Sequence, residues 1–265
     1  MSAINYKQID AELAHIATVL KAPRIRSTYH DTAEQARDGG WTYEEYLAAV
    51  LSVEASARQA SGAQARIKRA GFPHIKTIED FDFMVQPAID RAKIARLETS
   101  AWIAQGCNVI FLGPPGTGKT HLAIGLGVIA ARHGHRVLFD TAAGWVQQLT
   151  HAHSTGSLPK LLAKLGRYDL IIVDEVGYIP IEAEAANLFF QLVSTRYEKA
   201  SLIMTSNLPF SRWGECFGDA TIAAAMIDRI VHHAEIFTHK GNSYRITGHE
   251  DILPSIAAER EHQIN

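Results

Sequence analysis

The stretch that decides the fold is Val109–Thr120, which reads VIFLGPPGTGKT. Its last eight residues, Gly113–Thr120, match the pattern G-x-x-x-x-G-K-[ST], whose backbone cradles phosphate groups. An apolar run precedes this loop, and a helical pattern beginning at His121 follows it. The motif therefore has the strand–loop–helix context that it requires, and the sequence predicts a phosphate-binding loop.

Each residue type in the loop has a chemical reason. Glycines let backbone N–H groups turn toward phosphate oxygens without a Cβ in the way. Lys119 would place a cation on the β- and γ-phosphates, and the Thr120 hydroxyl would ligate Mg²⁺. A Gly/Pro turn with a surface lysine is the alternative, and the flanking strand and helix disfavour it. The predicted ATP-binding residues are Gly113, Pro114, Pro115, Gly116, Thr117, Gly118, Lys119, Thr120 and His121.

Two carboxylates follow another apolar run, Leu170–Val173. Ligands of open α/β folds bind at the carboxyl ends of the strands, where Asp174 and Glu175 are expected. Asp174 is predicted to hold Mg²⁺ through its water shell, and Glu175 to activate the attacking water as general base. A solvated strand end before Gly177 is the alternative. No guanine-reading N-K-x-D motif is present. The sequence therefore predicts an ATPase with ATP and Mg²⁺ as its cofactors.

Short apolar runs alternate with helix-length segments after Gly106, which is typical of a parallel sheet with crossover helices. The predicted class is α/β, with a five-stranded parallel sheet flanked by helices. A further helix is predicted from about Thr221 to His233. The predicted strands are Val109–Leu112, Val137–Phe139, Leu170–Val173, Leu202–Met204 and Glu235–Thr238.

Three polar residues outside these motifs are candidates for catalysis. Asn207 follows a predicted strand and could orient the water beside Glu175, although Asn207-Leu208-Pro209 also favours a simple turn. Arg229 and Arg245 could supply a guanidinium to the transferring phosphoryl group. Most arginines are surface residues, so the residues alone favour solvated roles for both.

The chain before the loop is predicted to be helical. One helical face ends before Pro23, and it is formed by Ile9, Leu13, Ile16 and Leu20. Thr42 and Glu45 have capping-box spacing and predict a second helix that runs toward Ala70.

A run of basic charge follows, and its sign reverses at Glu79. We therefore predict a helical N-terminal domain at 1–78, an ATPase domain at 79–250 and a tail at 251–265. The basic run is a candidate DNA contact, and a solvated helix face is the alternative. Its residues are Arg58, Arg66, Lys68, Arg69 and Lys76.

Composition narrows the possible partners and the cellular compartment of the protein. The 265 residues are 47% hydrophobic and 20% charged with a net charge of -2, so nucleic-acid affinity must come from a local patch. Cys107 and Cys216 fit no metal or redox spacing, and the N-terminus carries no apolar leader, which together indicate the reducing cytoplasm. Thirteen histidines invite a metal interpretation, but H-E-x-x-H is absent and solvated histidines are the better account.

The assembled motifs resemble the AAA+ ATPases and, among them, the DnaC-like helicase loaders. The sequence is most similar to the IstB family, helper ATPases encoded beside the transposase in one class of bacterial insertion sequences. The resemblance covers roughly residues 5–248. It is carried by Thr42–Leu51, Phe72–Phe83, Gly116–Ala123, Tyr168–Pro180, Ser206–Phe217, Ala223–Glu235 and Lys240–Arg245.

The resemblance implies roles that spacing does not show. Asn207 matches the first sensor, Arg229 the arginine finger that acts in trans, and Arg245 the second-sensor arginine. ATP would bind between subunits of a homo-oligomeric ring or spiral on duplex DNA, which the helical N-terminal part would contact. The ATP-loaded protein would select and remodel target DNA and recruit the transposase, and DNA-stimulated hydrolysis would reset the assembly.

Two other functions remain open at this point. A DnaC-like loader would use its N-terminal helices to hold a replicative helicase. A nucleotide switch would bind ATP and barely hydrolyse it, which the intact Asp174-Glu175 pair disfavours. The base pocket also stays open, with Phe81 and Phe83 as candidate walls.

Overall fold

The computed structural model describes residues 6–178, 180–241 and 244. The chain divides into two compact units, Met1–Ala65 and Arg66–Asn265. This division lies before the boundary that the charge reversal predicted at residue 78. Ile67, Ala70 and Ile78 account for the difference, because all three pack into a core cluster of the second unit. The predicted tail at 251–265 lies outside the described residues.

The first unit is helical, as predicted. Helix α1 spans Tyr6–Val19, α2 spans Pro23–Gly39, and α3 starts at Tyr43 and ends at Ala70 in the second unit. The capping box is present: the Thr42 backbone N–H donates to Glu45 Oε2 at 2.7 Å, and the Glu45 N–H donates to Thr42 Oγ1 at 3.2 Å. Pro23 begins α2 at its first turn, where proline has no N–H to lose. The sequence analysis missed α2 because this helix is polar and buries little besides Ala36.

The second unit is built on the predicted five-stranded parallel sheet, in the order β2-β3-β4-β1-β5. β1 lies between β4 and β5, so the loop after β1 is flanked by the ends of both strands. All five predicted strands are confirmed, with somewhat longer bounds. The strands are β1 Asn108–Leu112, β2 Val137–Thr141, β3 Leu170–Val176, β4 Ser201–Ser206 and β5 Ala234–Thr238.

Helices cover the sheet, and two hydrophobic clusters form the core. One cluster contains Trp145, Phe189 and Trp213, and the other contains Phe111 and Leu122. The helices are α4 Arg91–Glu98, α5 Ala101–Ala104, α6 Lys119–Arg132, α7 Ala142–Ser154, α8 Leu158–Leu165, α9 Ala183–Arg196, α10 Trp213–Phe217 and α11 Ala220–Val231, with a 3-10 turn at Phe210–Arg212.

A buried arginine fixes the start of two strands. Arg196, at the end of α9, is 1% exposed and donates to the carbonyls of Leu165, Tyr168, Asp169 and Ser201 at 2.9–3.3 Å. Burial lowers its pKa to about 10, so the guanidinium stays charged at neutral pH. These bonds join the end of α8 to the first residues of β3 and β4, and two of the four carbonyls, those of Leu165 and Asp169, also accept backbone N–H groups.

Within the described residues, no helix has both the length and the apolar character needed to cross a bilayer.

Candidate nucleotide-binding site

The loop Gly113–Lys119 connects β1 to α6 and has the conformation that its glycines allow. Gly116 and Gly118 have φ angles of 76° and 88°, values that residues with a Cβ rarely adopt. A Cβ on Gly118 would lie 2.5 Å from the Phe81 ring, and a Cβ on Gly113 would lie 2.4 Å from the His239 carbonyl oxygen. The glycines therefore permit both the turn and the close packing of neighbouring segments against it.

Lys119 lies against the loop itself. Its Nζ donates to the carbonyl oxygens of Gly113 and Pro114, both at 2.7 Å, and the residue is 6% exposed. The ammonium is therefore held at the loop that the motif assigns to phosphate. Burial in a site of low dielectric strengthens its attraction for a phosphate oxygen.

Thr120 and Asp174 meet across the site. The Thr120 hydroxyl donates to Asp174 Oδ1 at 2.8 Å and approaches Oδ2 at 3.1 Å. Asp174 ends the apolar part of β3 and is only 4% exposed. A hydroxyl and a carboxylate side by side form the oxygen-rich donor set that Mg²⁺ prefers, so these two residues fit the predicted metal.

Thr205, on β4, is a site residue that the sequence analysis missed. Its Oγ1 donates to Asp174 Oδ1 at 2.5 Å and accepts from the backbone N–H of Glu175 at 2.9 Å. Thr205 is 1% exposed. Only its place at the end of an apolar run, beside Asn207, could have indicated it.

A β-bulge in β3 gives the two adjacent acidic residues different surroundings. Val173 pairs with Met204 but Val176 pairs with Ser206, so β3 has one more residue than β4 over this interval. Glu175 lies in the bulge with a φ of 62°, an uncommon value for a residue with a Cβ. As a result Asp174 is buried beside Thr120 while the neighbouring Glu175 is exposed.

The segment after β5 also contacts the loop. The His239 N–H donates to the Leu112 carbonyl at 2.7 Å, and His239 Nδ1 lies 2.8 Å from the Thr117 carbonyl. The Tyr244 N–H donates to the Gly116 carbonyl at 3.0 Å. Burial, helped by the nearby charge of Lys119, lowers the pKa of His239 to about 4. Its imidazole is therefore neutral at physiological pH, with Nδ1–H as the donor.

The site opens into a cleft of about 920 Å³. Gly116–His121, Asp174, Glu175 and Thr205 line it, together with part of segment 71–86. Phe81 lines the cleft, whereas Phe83 packs against Phe81 and under the guanidinium of Arg91. His121 Nε2 lies 2.7 Å from the Thr77 carbonyl, so His121 connects the first turn of α6 to this segment.

Two of the remaining predicted catalytic residues lie in the described part of the chain, and neither lines the cleft. Asn207 Oδ1 is buried, has no partner among the described residues and lies beside Gly177. Arg229 stacks over the Phe190 ring at 4.3 Å and donates to Ser194 Oγ on α9. Arg245 lies outside the described residues. The roles of all three stay predictions.

The predicted DNA contacts differ in their surroundings. Arg58, in the first unit, donates to the carbonyls of Leu20 and Lys21 and pairs with Glu54. In the second unit, Arg66 Nε donates to the Ala131 carbonyl at 2.7 Å. Lys68, Arg69 and Lys76 are exposed. Two of the five basic residues therefore have structural partners, and the DNA contact stays a prediction.

One histidine pair has a carboxylate nearby. The ligand atoms of Glu198, His232 and His233 lie within 4.8 Å of one another, and all three residues are exposed. The sequence spacing did not indicate this proximity, because Glu198 follows α9 while the histidines follow α11.

The fold and the site define a P-loop nucleotide-binding protein of the AAA+ class. A family profile described as IstB-like ATP binding protein matches residues 15–251, and the chain belongs to this IS21-type IstB family. The chain is 43% identical to a protein of Pseudomonas aeruginosa named for ATP binding in insertion sequence IS21, over 89% of each chain. It is 41% identical to a similarly named protein of insertion sequence IS5376 from Geobacillus stearothermophilus, over 86% of this chain and 90% of the relative.

Solved structures show the same fold at low sequence identity. DnaI matches with a TM-score of 0.52 and 18% identity, over 62% of this chain and 91% of its own. AMPPCP-bound DnaA from Aquifex aeolicus matches with a TM-score of 0.50 and 22% identity, over 64% of this chain and 52% of its own. The structures confirm the predicted AAA+ fold, and the family profile and the named relatives confirm that the chain belongs to a P-loop, ATP-binding family.

Proposed function

We propose that this chain is a DNA-stimulated ATPase that assists the transposase of its insertion sequence. It assembles on duplex DNA with ATP, selects and remodels target DNA, and recruits and stimulates the transposase. ATP hydrolysis then resets the assembly. The observation that carries the hydrolytic part is the cluster in which Thr120 and Thr205 both donate to Asp174 while Glu175 stands exposed beside it.

The residues divide the chemistry among them. Lys119 neutralises charge on the β- and γ-phosphates. Thr120 and Asp174 would hold Mg²⁺, which would supply further positive charge to the phosphates. Glu175 takes a proton from a water molecule, whose oxygen forms a bond to the γ-phosphorus as the bond to the leaving ADP oxygen breaks. An exposed carboxylate with a fixed backbone suits this role, because it can reach water while its N–H is held by Thr205.

The names of the relatives and the exposed basic residues support the assembly on DNA. The names of the relatives refer to insertion sequences. The sequence resemblance implies a trans-acting role for Arg229 and a second-sensor role for Arg245. Lys68, Arg69 and Lys76 are exposed cations suited to phosphate contacts, which give sequence-tolerant affinity. The loader alternative is supported only by similarity of fold.

The decisive experiment compares ATP turnover with and without duplex DNA, for the wild type and for Glu175→Gln. We expect DNA to raise wild-type turnover. Glu175→Gln should still bind ATP, lose turnover by at least about a hundredfold, and accumulate on DNA as oligomers. Glu184→Gln, an exposed glutamate on α9, is the matched control. Wild-type turnover by Glu175→Gln would disprove the assignment of the general base, and failure to bind duplex DNA would disprove the role in transposition.

A further inference from the structure

Three side chains that can ligate a metal meet at the end of the sheet opposite the nucleotide cleft. Glu198 lies shortly before β4, and His232 and His233 lie directly before β5. One ligand atom from each residue lies within 4.8 Å of the other two. The phosphate loop follows the carboxyl end of β1, which spans roughly 16 Å, whereas this cluster lies at the amino ends of the parallel strands. The cluster is therefore separate from the nucleotide site.

The donor set suits one class of metal. Imidazole nitrogen and carboxylate oxygen together bind Zn²⁺ and similar transition metals, whereas Mg²⁺ and Ca²⁺ prefer oxygen ligands alone. Ligand atoms of a tetrahedral Zn²⁺ lie about 2.0–2.2 Å from the metal and so roughly 3.4 Å from one another. His232 Nδ1 and Glu198 Oε1 are 3.8 Å apart, and both side chains are more than half exposed. Small side-chain rotations therefore suffice to bring both atoms onto one ion.

The histidine pair has a fixed backbone. The Asn108 N–H donates to the His233 carbonyl at 2.7 Å, and Asn108 Nδ2 donates to the Ile230 carbonyl at 2.9 Å. The His232 ring stacks on Tyr197 with centroids 5.9 Å apart, and the Tyr197 hydroxyl lies 2.9 Å from His232 Nδ1. These contacts orient the first imidazole and hold the backbone of the second, so little order remains to be gained when a metal binds.

The turn that carries Glu198 is fixed as well. The N–H groups of Lys199 and Ala200 both donate to the carbonyl of the buried Arg196, at 2.9 and 3.0 Å. Glu198 has a φ of 57°, a value that glycine or asparagine adopts with less strain. The Tyr197 hydroxyl is within hydrogen-bond reach of the Glu198 carboxylate, so it can donate there once a metal takes the imidazole lone pair. A hydrogen bond of this kind orients a ligating carboxylate.

We propose that Glu198, His232 and His233 bind a Zn²⁺ ion, with a water molecule as the fourth ligand. The ion joins the residues that follow α9 to those that follow α11. The two helices already touch through Arg229, which lies over the Phe190 ring of α9. The ion adds a second link beyond their last turns and stabilises the folded second unit. This inference does not depend on the proposed function, because the three ligands do not line the nucleotide cleft.

The test measures Zn²⁺ binding to the full chain, prepared without a polyhistidine tag. Calorimetry should show one Zn²⁺ per chain at this site, and Co²⁺ in its place should give the visible absorption of a tetrahedral site. Zn²⁺ at about a hundred times its Kd should raise Tm by roughly 5 °C, because it binds only the folded state. Ca²⁺ at the same concentration should leave Tm unchanged, since the site offers a single carboxylate.

Glu198→Gln and His233→Gln should each weaken Zn²⁺ binding at least about tenfold. Both residues are exposed, so the Tm without metal should stay close to that of the wild type. Unchanged Zn²⁺ affinity in either variant would overturn the inference.

Two controls locate the ion. His151→Gln with His153→Gln removes two exposed histidines of α7, where His153 lies 3.5 Å from the exposed Glu184, and should retain Zn²⁺ binding. Asp174→Asn alters the nucleotide site and should retain it too. A tenfold loss in either control would assign the ion to another site and overturn the inference, without bearing on ATP hydrolysis.

Discussion

Thr205 Oγ1 lies 2.5 Å from Oδ1 of Asp174, on the neighbouring strand. The same hydroxyl oxygen accepts the backbone N–H of Glu175 at 2.9 Å, so one side chain of β4 holds both residues of the acidic pair. Asp174 also accepts from Thr120, and the carboxylate is thereby oriented from the phosphate loop and from β4. A carboxylate fixed from two sides can keep its oxygens directed at a metal ion.

Replacing Thr205 by valine should slow hydrolysis without preventing ATP binding. The change removes the donor to Asp174 and the acceptor for the Glu175 N–H but preserves the shape of the side chain. Losing a hydrogen bond that orients a metal ligand typically costs about 10- to 100-fold in activity. Steady-state kinetics should show this loss in kcat, with little change in KM. Thr205→Ser keeps the hydroxyl and should retain most activity, and equal kcat values in both variants would contradict this role.

Lys119→Ala should abolish ATP binding. Nζ makes two hydrogen bonds within the loop, and removing it takes away the cation as well as the contacts that shape the loop. Calorimetry or a fluorescent ATP analogue should detect at least about a hundredfold weaker binding. Lys199→Ala, a lysine outside the cleft, is the control. DNA-bound oligomers should disappear together with ATP binding, and their persistence would separate assembly from the nucleotide.

His239 should make stability depend on pH in acid. Its pKa is about 4 in the folded protein and near 6.5 in an unfolded chain, so the unfolded state binds the proton more readily. This contribution is therefore complete above pH 6.5 and is lost as pH falls from 6.5 toward 4. Thermal melts of wild type and His239→Asn should differ most at pH 7 and converge near pH 4.5. A constant difference in Tm across this range would show that the imidazole does not titrate as described.

Arg196→Met should destabilise the second unit. The substitution removes a charged donor that bridges four backbone carbonyls, and hydrogen bonds to a charged group are among the costly ones to lose. We expect a loss of at least about 3 kcal/mol in the free energy of unfolding, measured by urea denaturation. Arg212→Met removes an exposed arginine that pairs with Glu215, and it should cost less than about 1 kcal/mol. Similar losses in both variants would contradict a structural role for Arg196.

Exposed basic residues should determine salt-dependent DNA affinity. Lys68→Glu with Arg69→Glu should weaken duplex binding, and each phosphate interaction that the change removes should reduce the slope of log Kd against log salt by roughly one unit. Arg66 is excluded because its bond to the Ala131 carbonyl would mix folding with binding. Lys160→Glu with Lys164→Glu makes the same charge change on exposed positions of α8. If the two double substitutions weakened DNA binding equally, the basic run would contribute only through the net charge of the protein and not through its own phosphate contacts.

The sequence predicted what depends on short stretches of chain. The central strands β1, β3 and β4 were recognisable because they are buried on both faces and therefore carry continuous apolar runs. The capping box was recognisable because Thr42 and Glu45 are three residues apart. Helix α2 escaped notice because its composition is polar, so few apolar side chains mark a buried face.

By itself, the sequence determined the phosphate loop, the class of fold and the acidic pair, since each depends on residues adjacent in the chain. Only the tertiary structure brought Thr205 to Asp174 and gave Arg66 a structural partner. It also decided the bulge that buries Asp174 and exposes Glu175. These features arise from contacts between residues far apart in sequence. The sequence of a single strand does not specify the order in which the parallel strands pair.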